Sequence, residues 1–190
     1  MKRIVLVSGV LLLAAQGLAM AKQCANVEFP DHVAVKGTDL TLNGLGMRKA
    51  TFLKINVYVA ALYFPKPTND AQTLIDPAEP AQLVLRFVRD VGVKDLREAW
   101  KEGFEKAAPE TMTTLAARVA QLNSWMSDMK VGQKLTFTRL PATGVQVSVD
   151  GANKGTITGD DFSKALFTIW LGPKPPNSEI KTGLLGGACS

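Results

Sequence analysis

The sequence is short of the residues that carry most enzyme and metal chemistry. Its 190 residues include one histidine, His32, and two cysteines, Cys24 and Cys189. A Ser–His or Cys–His nucleophilic pair needs an imidazole base, and His32 has no serine or cysteine near it in the sequence. No group of His, Cys, Asp and Glu has the spacing of a metal site. We therefore expect no metal, no cofactor and no histidine-based catalysis.

The sequence also lacks the charge pattern of a nucleic-acid-binding protein. It has 22 basic and 17 acidic residues, and two of the basic ones, Lys2 and Arg3, lie in an N-terminal segment that we expect to be removed. Opposite charges are interspersed, and no basic cluster is accompanied by aromatic residues that could stack on bases. We expect no nucleic-acid partner.

Residues 1–21 have the pattern of a secretory signal peptide. Lys2 and Arg3 are basic, residues 4–15 are apolar, and residues 19–21 read Ala-Met-Ala, the small-x-small pattern that signal peptidase recognises. Cleavage there leaves residues 22–190 as one domain of ordinary size. No later apolar run is long enough to span a bilayer. We expect a periplasmic or secreted protein with no membrane span after cleavage.

The two cysteines lie at opposite ends of this domain. In an exported protein an even number of cysteines favours a disulfide, and the alternative is two free thiols near the termini. We predict that Cys24 and Cys189 are bridged and that the bridge ties the termini together.

Two hydrophobic periodicities predict an α+β protein. Alternating apolar residues predict strands, and apolar steps of three and four residues predict helices. Short strands are predicted at residues 27–29, 32–35, 39–42, 82–88, 134–139, 145–149 and 154–158. Helices are predicted at residues 70–76, 94–108, 115 to about 132, 160 or 161 to 171, and 178–185. Because strands and helices come in groups and do not alternate one by one, we expect a mainly antiparallel sheet.

The segment from Leu42 to Phe64 contains most of the candidate binding residues. We place Gly44 and Gly46 around a turn, and from Arg48 onward we expect one uninterrupted strand. One face of that strand is apolar and carries Leu53, Ile55, Val57, Val59 and Ala61. The other is mixed, and counting by twos from Arg48 leads to Lys54, Asn56 and Tyr58.

The mixed face has two interpretations. In the simpler interpretation, water covers this face, as it covers one face of many antiparallel sheets. Alternatively, helices cover this face and leave a cleft, in which Arg48 would bind an anionic group through paired hydrogen bonds.

Three separated stretches resemble one known family. LNGLGMRKATFLKINVYVAALYFP is similar to the Gly-x-Gly-x-Arg segment and following strand of the chalcone isomerase family, and most similar to its exported bacterial branch. LRFVRDVGVKDLREAWKEGF resembles that family's strand-to-helix passage, and IWLGPKPPNSEIKTGLLG resembles its closing helix. The resemblance runs from about Val27 to Gly186. It implies an open-faced β-sandwich, with a large mainly antiparallel sheet, helices layered on one face and a cleft between them.

The resemblance implies two kinds of function. In plant enzymes of the family the cleft cyclises a chalcone: an arginine binds the phenolate, and a threonine and a tyrosine bind the carbonyl through water. In fatty-acid-binding relatives the same arginine holds a carboxylate. Arg48 matches the arginine, and Tyr58 falls at the position of the threonine. The second tyrosine is missing, because residues 92–96 read Gly-Val-Lys-Asp-Leu.

From this resemblance, and because the second tyrosine is missing, we expect a non-catalytic binder of a small amphipathic anion such as a fatty acid. Arg48 would hold the head group, Asn56 and Tyr58 would hydrogen-bond it, and Trp100 and Phe104 would line the tail. One alternative is an isomerase or lyase for a phenolic anion, with Arg48 stabilising the oxyanion. The other is a structural envelope module in which Arg48 holds its own glycine turn.

Overall fold

The computed structural model describes residues 21–50 and 53–189. The strands are β1 (Ala21–Cys24), β2 (Val27–Pro30), β3 (His32–Val35), β4 (Thr38–Ala50), β5 (Ile55–Phe64), β6 (Ala81–Phe87), β7 (Lys134–Leu140), β8 (Gly144–Val149) and β9 (Ala152–Thr158). The helices are α1 (Ala71–Ile75), α2 (Val93–Ala107), α3 (Met112–Ser124), α4 (Asp160–Leu171) and α5 (Ser178–Leu184). The predicted signal peptide lies outside the described residues except for Ala21, the first residue of β1.

The main sheet is a seven-stranded antiparallel meander. Strands β3 to β9 follow one another in both sequence and space, and β1 pairs with β2 in a separate ribbon. Antiparallel strands that are neighbours in both sequence and space can be joined by a short turn or by an inserted helix. The prediction of an α+β protein with a mainly antiparallel sheet is confirmed. Within the described residues, no helix is long and apolar enough to cross a membrane.

Each face of the sheet has its own hydrophobic core. The larger core lies between the sheet and the helices, and it includes Phe104, Phe162 and Trp170. The smaller core lies on the opposite face, under the β1–β2 ribbon, and it includes Phe29 and Tyr63. The Tyr63 hydroxyl donates a hydrogen bond to the Pro30 carbonyl at 3.0 Å, which ties the ribbon to β5. The helices therefore cover one face, as predicted.

The predicted uninterrupted strand from Arg48 to Phe64 is instead the end of one strand and the start of another, joined by a turn. Gly44 and Gly46 lie inside β4, the chain reverses before β5, and Lys54 has a φ of +52°. The expected apolar face is broken as a result: Leu53 and Ile55 are exposed, whereas Val59 and Ala61 are buried. The prediction failed because alternating apolar residues on both sides of a turn resemble one continuous strand.

Helix α3 ends about seven residues earlier than its apolar spacing predicted. After Ser124 the chain leaves the helix, and Met129 forms a backbone bridge with Val91 through hydrogen bonds of 2.8 and 2.9 Å. Met126 and Met129 are still buried, so the apolar pattern continues although the helix does not. A bridge of this kind requires extended backbone at Met129.

Cys24 and Cys189 form a disulfide, with their Cα atoms 5.9 Å apart, as predicted. Cys24 belongs to β1, and both Cys24 and Cys189 pack against the core on the ribbon side of the sheet. Cys189 follows α5, whose Ile180 and Leu184 are buried on the helix side, so the bridge ties the segment after α5 to the ribbon. It is consistent with a protein secreted into an oxidising compartment.

The helix layer also contains a fully buried arginine. Arg139 on β7 donates hydrogen bonds of 2.8 Å to the carbonyls of Leu74 and Glu79, and its guanidinium lies 4.6 Å from the ring centre of Phe167. Burial lowers the pKa of Arg139 to about 10. The side chain attaches α1 and the loop after it to the sheet, which is a structural role.

Candidate functional site

A cavity of about 480 Å³ lies between the sheet and the helices α2 and α4. Its inner wall is apolar and is formed by Val57, Phe87, Leu96, Trp100, Ile169 and Trp170. The exposed charged residues that line it, called the cavity rim below, are Arg89, Asp90, Asp95, Glu102, Lys106 and Lys174. A volume in this range and an apolar wall with few polar groups are typical of small-molecule sites.

Arg48 and Tyr58 reach this cavity from neighbouring strands. They are direct cross-strand partners of β4 and β5, so their side chains share the face of the sheet that the helices cover. A β-bulge follows at once, because Lys49 pairs with Asn56 and the register skips one residue of β5. Arg48 is half-buried and donates a hydrogen bond to the Lys49 carbonyl. The bulge redirects the strand beside the cavity, and bulges are common next to binding and active sites.

Asn177, just before α5, holds the backbone on both sides of Arg48. Its side-chain oxygen accepts a hydrogen bond from the Lys49 N–H at 3.2 Å, and its side-chain nitrogen donates to the Met47 carbonyl at 3.1 Å. One amide therefore satisfies the backbone groups immediately before and after the arginine. This contact fixes the direction in which Arg48 leaves the strand.

The two glycines of β4 allow α5 to lie directly on the strand. A Cβ atom on Gly44 would lie 2.2 Å from the Gly183 carbonyl oxygen, and one on Gly46 would lie 2.4 Å from the Ile180 carbonyl oxygen. Any side chain at either position would therefore push the helix away. The glycines are required for close packing inside a strand, and the predicted glycine turn is wrong.

The hydroxyl of Tyr58 is held by a helix residue. The Trp170 indole N–H donates a hydrogen bond to it at 3.0 Å. Burial raises the pKa of Tyr58, an effect that the Trp170 hydrogen bond and the Arg48 charge only partly offset. The phenol is thus neutral near pH 7. Because Trp170 occupies one acceptor site of the oxygen, the hydroxyl proton remains available to donate to another acceptor.

Two rim carboxylates are already paired with lysines. Glu102 is bonded to Lys106 at 2.5 Å, and Asp90 is bonded to Lys130 at 2.9 Å. The pKa of Glu102 is lowered chiefly by the hydrogen bond from Lys106 and to a smaller degree by the charge of Arg48. The site thus offers Arg48 and Tyr58 as donors beneath a rim of mixed charge.

A family model described as chalcone isomerase-like matches residues 21–186. The chain belongs to the chalcone isomerase-like family. A comparison with curated proteins finds no match by sequence.

Comparison with solved structures supports the same fold. The crystal structure of the Arabidopsis thaliana fatty-acid binding protein AtFAP1 superposes with a TM-score of 0.70, covering 87% of this chain and 96% of that one. The two sequences are 14% identical, so the likeness concerns the fold. The predicted open-faced sheet with helices on one face is confirmed for this chalcone isomerase-like chain.

The chalcone isomerase-like fold brings together three of the five predicted ligand residues. Arg48, Tyr58 and Trp100 all line the cavity. Asn56 is exposed and does not line it, because the bulge after Arg48 pairs Asn56 with Lys49. Phe104 is buried and packs against Phe162, with ring centres 5.3 Å apart, outside the cavity wall.

Two residues that position the site were not identified from the sequence. Trp170 lies in the helix predicted at residues 160 or 161 to 171, with nothing nearby in the sequence that indicates its partner, and Asn177 lies in a proline-rich loop with no periodic pattern. Their partners, Tyr58 and the backbone around Arg48, are more than 110 residues away in the sequence. Trp170 has one sequence signal, because a buried indole usually requires a hydrogen-bond partner. In the segment where the second tyrosine of the plant enzymes would lie, Asp95 and Leu96 contribute to the cavity instead.

Proposed function

We propose that this protein is an exported, non-catalytic binder of a small amphipathic anion, with a fatty acid as the ligand class. The observation that carries the proposal is the placement of Arg48 beside the neutral hydroxyl of Tyr58 at a cavity with an apolar inner wall. An arginine donates charge-assisted hydrogen bonds to a carboxylate, and an uncharged phenol adds a further donor. The apolar wall suits a hydrocarbon tail.

The chemistry of the groups at the site supports binding by Arg48 and Tyr58 without catalysis. A charged hydrogen bond orients a ligand, but rate acceleration requires groups that act more strongly in the transition state than in the ground state. The raised pKa of Tyr58 keeps its hydroxyl protonated near pH 7, so it is not available there as a general base. His32, the one histidine of the sequence, is exposed on β3 and contacts Asp39 at 3.0 Å.

Two further features support this proposal. AtFAP1, one solved structure with this fold, is described as a fatty-acid binding protein and shares 14% identity with this chain. Export is supported by the Cys24–Cys189 disulfide, because disulfides persist mainly in oxidising compartments. The predicted role of Arg48 in holding its own glycine turn receives less support, since Gly44 and Gly46 lie inside a strand.

The test compares two ligands that differ only in the head group. Delipidated protein is titrated calorimetrically with dodecanoic acid and with dodecanol, which has the same tail and no carboxylate. We expect the acid to bind at least roughly 30-fold more tightly, because the alcohol leaves the Arg48 charge without its partner. Equal affinities, or no binding of the acid, would refute the proposal. Loss of absorbance of a hydroxychalcone that depends on Arg48 would favour the isomerase alternative.

A further inference from the structure

Exposed hydrophobic side chains are concentrated at one end of the sheet. Among the described residues, the large exposed ones are Leu53, Ile55 and Val131, with exposed fractions of 65, 37 and 63%. Single exposed apolar residues are normal on any protein surface. Their relative positions therefore decide whether these three have a common role.

All three lie next to residues that line the cavity. Ile55 is the cross-strand partner of Ala50, which lines the cavity, and Leu53 lies in the turn just before it. Val131 lies beside the rim, because its backbone N–H donates a hydrogen bond of 3.0 Å to the Asp90 carboxylate. Two segments distant in sequence thus place apolar side chains at the same end of the sheet as the cavity.

Basic residues accompany these apolar side chains. Lys54 lies in the β4–β5 turn, and Arg89 and Lys174 belong to the rim and are exposed. Within residues 21–50 and 53–189, Arg89 and Lys174 form no ion pair, whereas the neighbouring Asp90 is neutralised by Lys130. Their charges are therefore available to an external partner.

Several carboxylates also lie at this end of the sheet. Glu102 is paired with Lys106, and Glu179, the carboxylate near Lys54, accepts hydrogen bonds from Asn177 and Ser178 at 3.2 Å. Asp95 is the rim carboxylate that has no ion pair among the described residues, and Asp128 and Asp150, near Lys130 and Lys134, also have none there. The end of the sheet that carries the cavity thus combines exposed apolar side chains with basic residues, Arg89 and Lys174, that form no ion pair among the described residues.

We propose that this end of the protein docks onto an anionic lipid surface. The docking face consists of Leu53, Ile55, Val131, Lys54, Arg89 and Lys174. Its apolar side chains enter the headgroup region of the bilayer, and its cations contact lipid phosphates. The inference rests on the proposed function, since docking would let a fatty acid pass from the bilayer into the cavity without crossing water.

The first test removes the apolar part of the docking face. Ligand-free protein is floated with vesicles of phosphatidylcholine mixed with phosphatidylglycerol, and with vesicles of phosphatidylcholine alone. We expect binding to the anionic vesicles, and we expect L53S/I55T/V131T to bind them about tenfold more weakly or worse, since less apolar surface enters the bilayer. All three positions are exposed, so the fold should be retained, and the thermal midpoint checks this.

The second test uses two lysines in matched positions. Lys54 and Lys36 both lie in turns with a positive φ, +52° and +48°, at opposite ends of β4. We expect Lys54→Gln to weaken binding to anionic vesicles by about fivefold, the effect of one cation near such a surface, and Lys36→Gln to leave it unchanged. Equal effects of the two substitutions, or no binding of the wild-type protein to anionic vesicles, would overturn the proposal.

Two controls separate docking from ligand binding and from protein association. Arg48→Met should lose dodecanoic acid and still float with anionic vesicles, so docking and the proposed function can fail independently. Light scattering of ligand-free protein should show a monomer. A dimer that disappears in the triple variant would identify the apolar face as a contact between two copies and would overturn membrane docking.

Discussion

Arg48 and Tyr58 face each other across β4 and β5 at the last regular pair before a β-bulge. The arginine is held from the backbone side by Asn177, and the phenol is held by Trp170. Both partners come from the C-terminal part of the chain, one from the loop before α5 and one from α4. The two donors therefore have fixed positions only when the whole helix layer is in place.

Replacing Arg48 by Met should weaken dodecanoic acid binding by about 2–5 kcal/mol, the range for removing one partner of a buried charge pair. The thermal midpoint should change little, because among the described residues the arginine hydrogen-bonds only the carbonyl of its neighbour Lys49. Arg139→Met is the matched control. It should lower the free energy of unfolding by about 2–6 kcal/mol, since the carbonyls of Leu74 and Glu79 each lose their donor at about 1–3 kcal/mol. A large fall in the midpoint of Arg48→Met with unchanged affinity would reject the ligand role.

Asn177→Ala should reduce both stability and affinity, whereas Asn43→Ala should reduce stability alone. Asn43 lies in β4 and Asn177 lies just before α5, and both connect this strand to the C-terminal segment that contains α5. Asn43 donates a hydrogen bond to the Leu184 carbonyl at 2.7 Å and accepts one from the Thr68 N–H. We expect each variant to lose about 1–3 kcal/mol of unfolding free energy, because buried backbone groups lose their partners. Only Asn177 flanks Arg48. Calorimetric titration with dodecanoic acid that shows equal affinities for both variants would contradict a positioning role.

Tyr58→Phe should weaken acid binding by about 0.5–1.5 kcal/mol, the net value of one hydrogen bond. It should also destabilise the fold by about 1–3 kcal/mol, because the Trp170 indole N–H is left buried and unpaired. A double-mutant cycle with Trp170→Phe, followed by chemical denaturation, measures the coupling between the two side chains. The double variant should lose less stability than the sum of the two single losses, and strict additivity would argue against the hydrogen bond.

Gly46→Ala should displace α5 and cost several kcal/mol of unfolding free energy, on the order of the penalty for overpacking a core. The added methyl would lie 2.4 Å from the Ile180 carbonyl oxygen. Gly92→Ala is the control, since its φ of −69° suits alanine and the nearest atom, Asp95 Oδ2, lies 4.0 Å away. We expect Gly92→Ala to lower the free energy of unfolding by at most about 1 kcal/mol. Similar denaturation midpoints for the two variants would contradict the close helix–strand contact.

Reduction of the Cys24–Cys189 disulfide should lower the free energy of unfolding by about 4–5 kcal/mol, the chain-entropy value for a loop of this length. Denaturation with and without reductant measures the loss. The double variant Cys24→Ser/Cys189→Ser should resemble the reduced protein and be insensitive to reductant. A wild-type midpoint that reductant leaves unchanged would show that the bridge does not form.

Features that depend on neighbouring residues were predictable from the sequence. Alternation over a few residues places β6 to β9 close to their observed bounds, and helical spacing places α2 and α4. The disulfide was predicted because the sequence has only two cysteines, one at each end of a chain that we expect to be exported. The resemblance to a known family predicted the layered fold and placed Arg48 between the sheet and the helices. Each of these inferences uses residue types at short spacing or in a recognisable motif.

Which side chains meet was decided only by the tertiary structure. The turn between β4 and β5 interrupts an alternation that continues on both sides, and the bulge after Arg48 removes Asn56 from the cavity. Phe104 has the correct helical spacing but packs one turn beyond Trp100, against Phe162. Asn177 and Trp170 act on residues 112 to 130 positions away. Periodicity determines the face on which a side chain lies, whereas the register of packed layers, set by long-range contacts such as Gly46 against Ile180, determines its partner.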